Sequence, residues 1–108
     1  KSILEIASDL VRLQELGSNN KLGENELSGS TFSLSNIGAI GGTYASPIIP
    51  APTVAIGAIG KIQTLPRFTD DSSVESGVYA AKVMNISWAA DHRVVDGATI
   101  ARFSNQLK

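Results

Sequence analysis

The nine residues Val54-Ala55-Ile56-Gly57-Ala58-Ile59-Gly60-Lys61-Ile62 are apolar on both faces of any extended chain they form. A strand without a polar face has to be covered on both sides, which places it inside a layered fold. Its glycines mark places where another group comes close to the backbone. The covering layers must come from the rest of the 108 residues or from chain beyond them.

Two helices are predicted. Ser2 followed by Glu5 is a capping-box pattern. The apolar positions Ile3, Ile6, Leu10 and Leu13, flanked by Leu4, Ala7 and Val11, then form one wide stripe as far as Gly17, predicting a helix over 3–16. At the other end Asp96 can cap a helix whose Ile100, Phe103 and Leu107 recur at helical spacing, with Lys108 cutting it short. Residues 18–30 are rich in Ser, Asn, Gly and Glu and read as a surface loop. Thr31-Phe32-Ser33-Leu34-Ser35 alternates polar with apolar side chains, as a half-buried strand does. It delivers Ser35 and Asn36 to the glycine-rich Ile37-Gly38-Ala39-Ile40-Gly41-Gly42.

Pro47, Pro50 and Pro52 predict an extended surface connection. Residues 69–77 read as a hairpin loop, and residues 78–90 as one long strand with Met84, Ile86 and Trp88 on one face and Val83, Asn85 and Ser87 on the other. The order is helix, strands, helix, with no internal repeat.

Composition removes several function classes. Nine Lys plus Arg against ten Asp plus Glu give a net charge of −1, with no basic stripe for phosphates, so nucleic acid is not an expected partner. No apolar run approaches the roughly 20 residues of a membrane helix, so a membrane is not expected either. Lys1-Ser2-Ile3-Leu4-Glu5 lacks the zones of a signal peptide, and the chain reads as processed or truncated. Without cysteine there is no disulfide, thiolate metal ligand or Cys nucleophile.

Chemistry concentrates in Asp91-His92-Arg93-Val94-Val95-Asp96-Gly97, between the last strand and the last helix, and includes the single histidine. Taken alone, His92 fits a satisfied structural residue and Asp96 an N-cap. A strand end, a short turn and a glycine free to adopt positive φ can together fix an imidazole in a cleft.

Together, Ser35-Asn36-Ile37-Gly38, Gly41-Gly42, Pro50-Ala51-Pro52 before the glycine strand, and Asp91-His92-Arg93 through Asp96-Gly97 resemble the catalytic domain of dihydrolipoamide acyltransferases. Residues 88–99, Arg102-Phe103-Ser104-Asn105, Arg12-Leu13-Gln14 and Leu65-Pro66-Arg67-Phe68 are most similar to the branched-chain 2-oxo acid dehydrogenase type, with residues 69–77 somewhat long. The resemblance implies an α/β fold, a chloramphenicol-acetyltransferase-like mixed sheet with flanking helices, of which residues 1–108 supply the C-terminal half. No lipoyl or subunit-binding domain is recognisable among them. It also implies a homotrimer that assembles into a larger hollow core, with dehydrogenase and dihydrolipoamide dehydrogenase components as partners through other regions. The expected location is the mitochondrial matrix, with bacterial cytoplasm as the alternative.

The implied reaction passes an acyl group between dihydrolipoamide and coenzyme A, both substrates, without a metal. In the family the histidine is the general base on the thiol, the serine stabilises the oxyanion without an acyl-enzyme, and the aspartate holds the turn. The matching residues are His92, Ser35 and Asp96. Gln14, Ser35, Asn36, Gly60 and Ile62 fall where coenzyme A is contacted, and histidine meets serine across a subunit boundary. A thiol of pKa roughly 8.5 facing an imidazole near 6.5 makes proton transfer uphill by about 2.7 kcal/mol. An oxyanion donor is worth about 2.7 to 4 kcal/mol in comparable acyl transfers, so base and hydroxyl complement each other. Three rivals remain: a Ser-His-Asp hydrolase, although no Gly-x-Ser-x-Gly elbow surrounds Ser35, a non-catalytic core or assembly fragment, and a chloramphenicol-acetyltransferase-like enzyme, which residues 35–42 and 88–99 resemble less.

Overall fold

The computed structural model describes residues 1–69 and 77–108, in two compact units, residues 1–30 and 31–108. The first unit is built on helix α1 (Ile3–Ser18), two residues longer than the predicted span. Its capping box is closed as expected: the Glu5 amide donates to Ser2 Oγ at 3.2 Å and the Ser2 amide to Glu5 Oε2 at 2.5 Å. The expected loop over 18–30 contains a short helix, α2 (Glu24–Leu27). The Gly23 amide donates to Glu26 Oε2 at 3.0 Å, and Glu26 also meets the Arg12 guanidinium at 3.5 Å. One turn held by a single ion pair and a local cap leaves no periodic signal in sequence.

The second unit carries a three-stranded sheet in the order β1 (Ser33–Asn36), β2 (Ala55–Ile59), β5 (Ile86–Ala90), with β1 parallel and β5 antiparallel to β2. β2 is the predicted glycine strand and occupies the centre. Ala55, Ile56 and Ala58 are buried, as are Gly57 and Gly60. The strand is shorter than expected because the chain leaves the sheet at Gly60. The Gly60 amide donates to the Asn85 carbonyl and the Lys61 amide to the Gly42 carbonyl, each at 2.8 Å. A Cβ on Gly60 would stand 2.4 Å from the Thr43 carbonyl oxygen, so the crossing admits only glycine.

Residues 63–68 then form β3 (Gln63–Phe68), paired antiparallel with β4 (Val78–Val83) in a separate two-stranded sheet. The pairing and the Thr69 amide to Gly77 carbonyl bond, at 2.9 Å, fit a hairpin. The rest of the expected loop, residues 70–76, lies outside the described residues. The single strand expected over 78–90 is two, β4 and β5, divided at Met84 and Asn85 and belonging to different sheets. Taking the Asn85 carbonyl for Gly60 lets the chain pass from one sheet to the other.

Helix α3 (Gly97–Gln106) docks on one face of the larger sheet. Phe103 meets Trp88 edge-on with ring centroids 5.4 Å apart, and Phe32 lies 6.2 Å from Trp88 and 6.0 Å from Phe103. Trp88 Nε1 donates to Ser104 Oγ at 3.1 Å. The indole lies across Gly57, its registered partner, where a Cβ would come 2.5 Å from a ring carbon. On the opposite face Ser87 Oγ accepts from the Ala45 amide at 3.2 Å, which ties down the irregular proline-containing segment. Both layers demanded by the two-sided apolar strand are thus present, one a helix and the other a segment without regular structure.

Gly57→Ala is expected to lower unfolding stability by about 1–3 kcal/mol through overpacking, and Trp88→Phe by about 1 kcal/mol through loss of the Ser104 hydrogen bond. Denaturant unfolding of the whole protein measures both. A Gly57→Ala change that leaves the midpoint in place would remove the steric argument.

Candidate functional site

The turn after β5 is held mainly by Asp91. Its amide donates to the Val54 carbonyl at 2.8 Å, extending the β2–β5 ladder by one bond, and its carbonyl accepts from the Val94 and Val95 amides at 2.9 Å each. The carboxylate accepts from the Arg93 amide at 3.0 Å, from Arg93 Nε at 3.0 Å through both oxygens, and from Nη2 at 2.7 Å. These bonds hold the Asp91 carboxyl down at about 2 and push the Arg93 guanidinium up. His92, between the two, is exposed, and its ring makes no hydrogen bond among the described residues.

Asp96 is the N-cap of α3: its Oδ1 accepts from the Thr99 amide at 2.6 Å. That bond, more than the nearby His92 charge, lowers its carboxyl below the ordinary value. The carboxylate is therefore engaged by the helix end, and no hydrogen bond joins it to His92. Gly97 departs from expectation. It opens α3 as an ordinary helical residue and is absent from the positive-φ glycines, because the reversal of direction is completed before Asp96.

Ser35 stands near the end of β1, half-buried, with no hydrogen bond from its hydroxyl among the described residues. Asn36 Oδ1 accepts from the Ala39 amide at 3.2 Å and so braces the 3-10 turn Gly38–Ile40, leaving the amide nitrogen as its outward donor. Gly38 packs on Gly60, where a Cβ would meet the Gly60 carbonyl carbon at 2.6 Å, so both glycines serve a close backbone crossing just beyond Ser35. Ile62 is 68% exposed. Gln14 belongs to the first unit, exposed on α1, with its carbonyl accepting from Ser18 Oγ at 2.9 Å.

The structure brings Asp91, His92, Arg93 and Asp96 into one turn and does not bring Ser35 to it. Ser35 is registered with Ala58, and Ala58 with Ser87. From Ser87 the strand runs three residues on to its end at Ala90, about 10 Å at 3.3 Å per residue, and His92 lies in the turn beyond that end. Ser35 and His92 occupy opposite ends of the sheet. The contribution of Asp91 and Arg93 to the turn was missed in sequence, although the Asp-x-Arg spacing was visible.

The sheet, mixed and backed by a helix, carries a histidine and an aspartate cap four residues on at one end and a serine at the other, in an α/β domain. Residues 1–108 match the model of the family described as 2-oxoacid dehydrogenases acyltransferase (catalytic domain), and the chain belongs to that family. Over 108 residues it is 58% identical to the lipoamide acyltransferase component of the branched-chain alpha-keto acid dehydrogenase complex, mitochondrial, of Mus musculus, covering all of this chain and 22% of that relative. The chain thus spans about a fifth of the relative's length.

Among solved structures it resembles the dihydrolipoamide acetyltransferase of Azotobacter vinelandii, in which the roles of a serine, a histidine and an asparagine in the catalytic mechanism were investigated. There the TM-score is 0.86 at 36% identity, over 99% of this chain and 42% of that one. It also resembles the cubic core of the pyruvate dehydrogenase multienzyme complex, with a TM-score of 0.89 at 34% identity, over 99% and 42%. The fold matches part of the α/β, chloramphenicol-acetyltransferase-like catalytic core expected from sequence, 42% of each of these two chains.

Because Asp91 and Asp96 have folded-state pKa values below the ordinary 3.8, their bonds support the turn above that value. The support is lost as pH falls through the folded values, about 2 for Asp91. NMR titration of the Arg93 and Thr99 amides should show midpoints below 3.8 for both; a midpoint at or above 3.8 would contradict the observed bonds.

Proposed function

We propose that these residues are the C-terminal part of an acyltransferase catalytic domain that moves a branched-chain acyl group between dihydrolipoamide and coenzyme A. The observation that carries the reading is the strand-end turn, which holds the backbone on both sides of an exposed imidazole that has no hydrogen-bond partner among the described residues. The investigated histidine and asparagine of the Azotobacter protein stand four residues apart, as His92 and Asp96 do. The branched-chain assignment rests on the 58% identity to the Mus musculus relative, against 36% and 34% for the Azotobacter acetyltransferase and the pyruvate dehydrogenase complex core.

His92 takes the proton of the coenzyme A thiol, and the thiolate attacks the thioester carbonyl of the acylated dihydrolipoyl group. The Ser35 hydroxyl, which has no internal partner to give up among the described residues, donates to the oxygen that becomes negative. Collapse expels the dihydrolipoyl sulfur, which recovers the proton from the imidazolium. Asp96 acts by fixing the start of α3, and with it the far side of the turn. No metal has a role here. On this reading Ser35, Asn36, Gly60 and Ile62 contact coenzyme A, and Gln14, in the first unit, is a coenzyme A contact by the sequence resemblance alone. For Asn36 and Ile62 the support is their exposure beside the Ser35 strand end. Gly60 is buried with its amide committed to Asn85, so its part is to shape that end.

With Ser35 and His92 at opposite ends of one sheet, a complete site takes its serine from one copy and its histidine from the next, as a homotrimer within a larger core provides. Dehydrogenase and dihydrolipoamide dehydrogenase components join through other regions. The Mus musculus relative's designation as mitochondrial supports a mitochondrial matrix location.

His92→Ala in the full-length protein should abolish transfer while leaving assembly intact, and Ser35→Ala should lower kcat by about a hundredfold or more. The two variants mixed before assembly should recover about a quarter of parental activity, because random neighbours rebuild that share of sites. Near-normal transfer by His92→Ala refutes the base assignment, and mixtures that stay inactive refute the shared site. Release of free acid from the thioester without coenzyme A, at the catalytic rate, would turn the reading to a hydrolase.

A further inference from the structure

We propose that the Asp91–Arg93 fork is a positioning device for His92, setting the imidazole by holding the backbone on both sides of it. This rests on the reading of His92 as the base. A catalytic imidazole is commonly aimed by a partner on its second ring nitrogen. Here the ring has no hydrogen-bond partner among the described residues, and the carboxylate four residues on is taken by the Thr99 amide. Among the described residues, the groups in place to aim it are those that hold the main chain.

The bonds that fix the main chain converge on one residue. Asp91 binds Val54 through its amide and Val94 and Val95 through its carbonyl, while its carboxylate takes the Arg93 amide. The peptides before and after His92 are thus tied to the same residue, itself tied to the central strand. The guanidinium fork closes the arrangement from outside. Arg93 offers Nε and Nη2 to the two carboxylate oxygens and so fixes the plane of the group that receives its own amide. A lysine would preserve the charge but not the plane.

An exposed ion pair contributes little to global stability, and the Arg93 side chain is 88% exposed. The effect of breaking it falls on the turn it braces.

The test uses the full-length assembled acyltransferase, with steady-state transfer between dihydrolipoamide and an acyl-coenzyme A. Arg93→Gln should lower kcat about tenfold with both KM values and the assembly mass unchanged, as a small misplacement of a catalytic group does. Arg93→Lys should lose nearly as much. Asp91→Asn combined with Arg93→Gln should be no slower than Asp91→Asn alone, since the two act as one unit. If Asp91→Asn fails to assemble, the exposed Arg93 variants carry the test by themselves.

Parental kcat in Arg93→Gln, in a protein that His92→Ala inactivates, overturns the proposal. So does full activity in Arg93→Lys, which would make charge the agent, or a loss expressed in the KM for coenzyme A, which would make Arg93 a ligand of that substrate. Transfer surviving in His92→Ala would instead refute the reading of the base on which the proposal rests.

Discussion

The placement of Trp88 across Gly57 is the contact on which the rest of the second unit depends. It lets the indole lie flat against the central strand, close to Phe103 and within reach of Ser104, and so fixes α3 against the sheet. The first residues of α3 are the far anchor of the turn that carries His92, and the near anchor is the last bond of β5 to β2. Both anchors are thus referred to the same strand pair. A side chain at position 57 would push the indole outward and move the helix, and the geometry around Asp96 would shift with it.

What sequence made legible follows this division between local and distant causes. The capping box at Ser2 and Glu5, the Asp96 cap and the helical spacing of Ile100 and Phe103 are decided within a few residues and stand as read, while Leu107 falls at the C-cap just past α3 and is exposed. The glycine strand was legible because a segment without a polar face has one kind of environment available to it. The division of residues 78–90 into β4 and β5 was not legible. Nothing in Val83-Met84-Asn85-Ile86 breaks a strand, and the change of sheet comes from Gly60, some 25 residues away, taking the Asn85 carbonyl. Helix α2 was missed for a related reason, since Arg12 holds it from another helix.

The site was legible in part. The turn from Asp91 to Asp96 is a local structure, and the sequence suffices to read its strand end, its histidine and its cap. The reading of Gly97 as a positive-φ residue went wrong because a glycine after an aspartate fits two geometries, and the cap geometry won. A Cβ there would meet nothing within 4 Å, so no steric demand inside the chain calls for glycine at that position. The separation of Ser35 from His92 depends on strand register, which the residues near each of them do not encode.

Register also gives the division of the site its physical meaning on the proposed reading. A serine and a histidine on one strand could be brought together by a bend, but here they lie at opposite ends of a sheet whose middle strand is the buried core. Bringing them together within one copy would require dismantling that core. Joining two copies end to end costs no internal structure, and it adds apolar contact where the described residues leave much of it open: Ile40, Tyr44 and Ile48, all between 77% and 90% exposed, lie in the stretch just after Ser35. An enzyme built this way couples its chemistry to its assembly, because the oxyanion donor and the base face each other only once the copies have met. The thiol is then deprotonated only where the hydroxyl that stabilises the next charge is already in place.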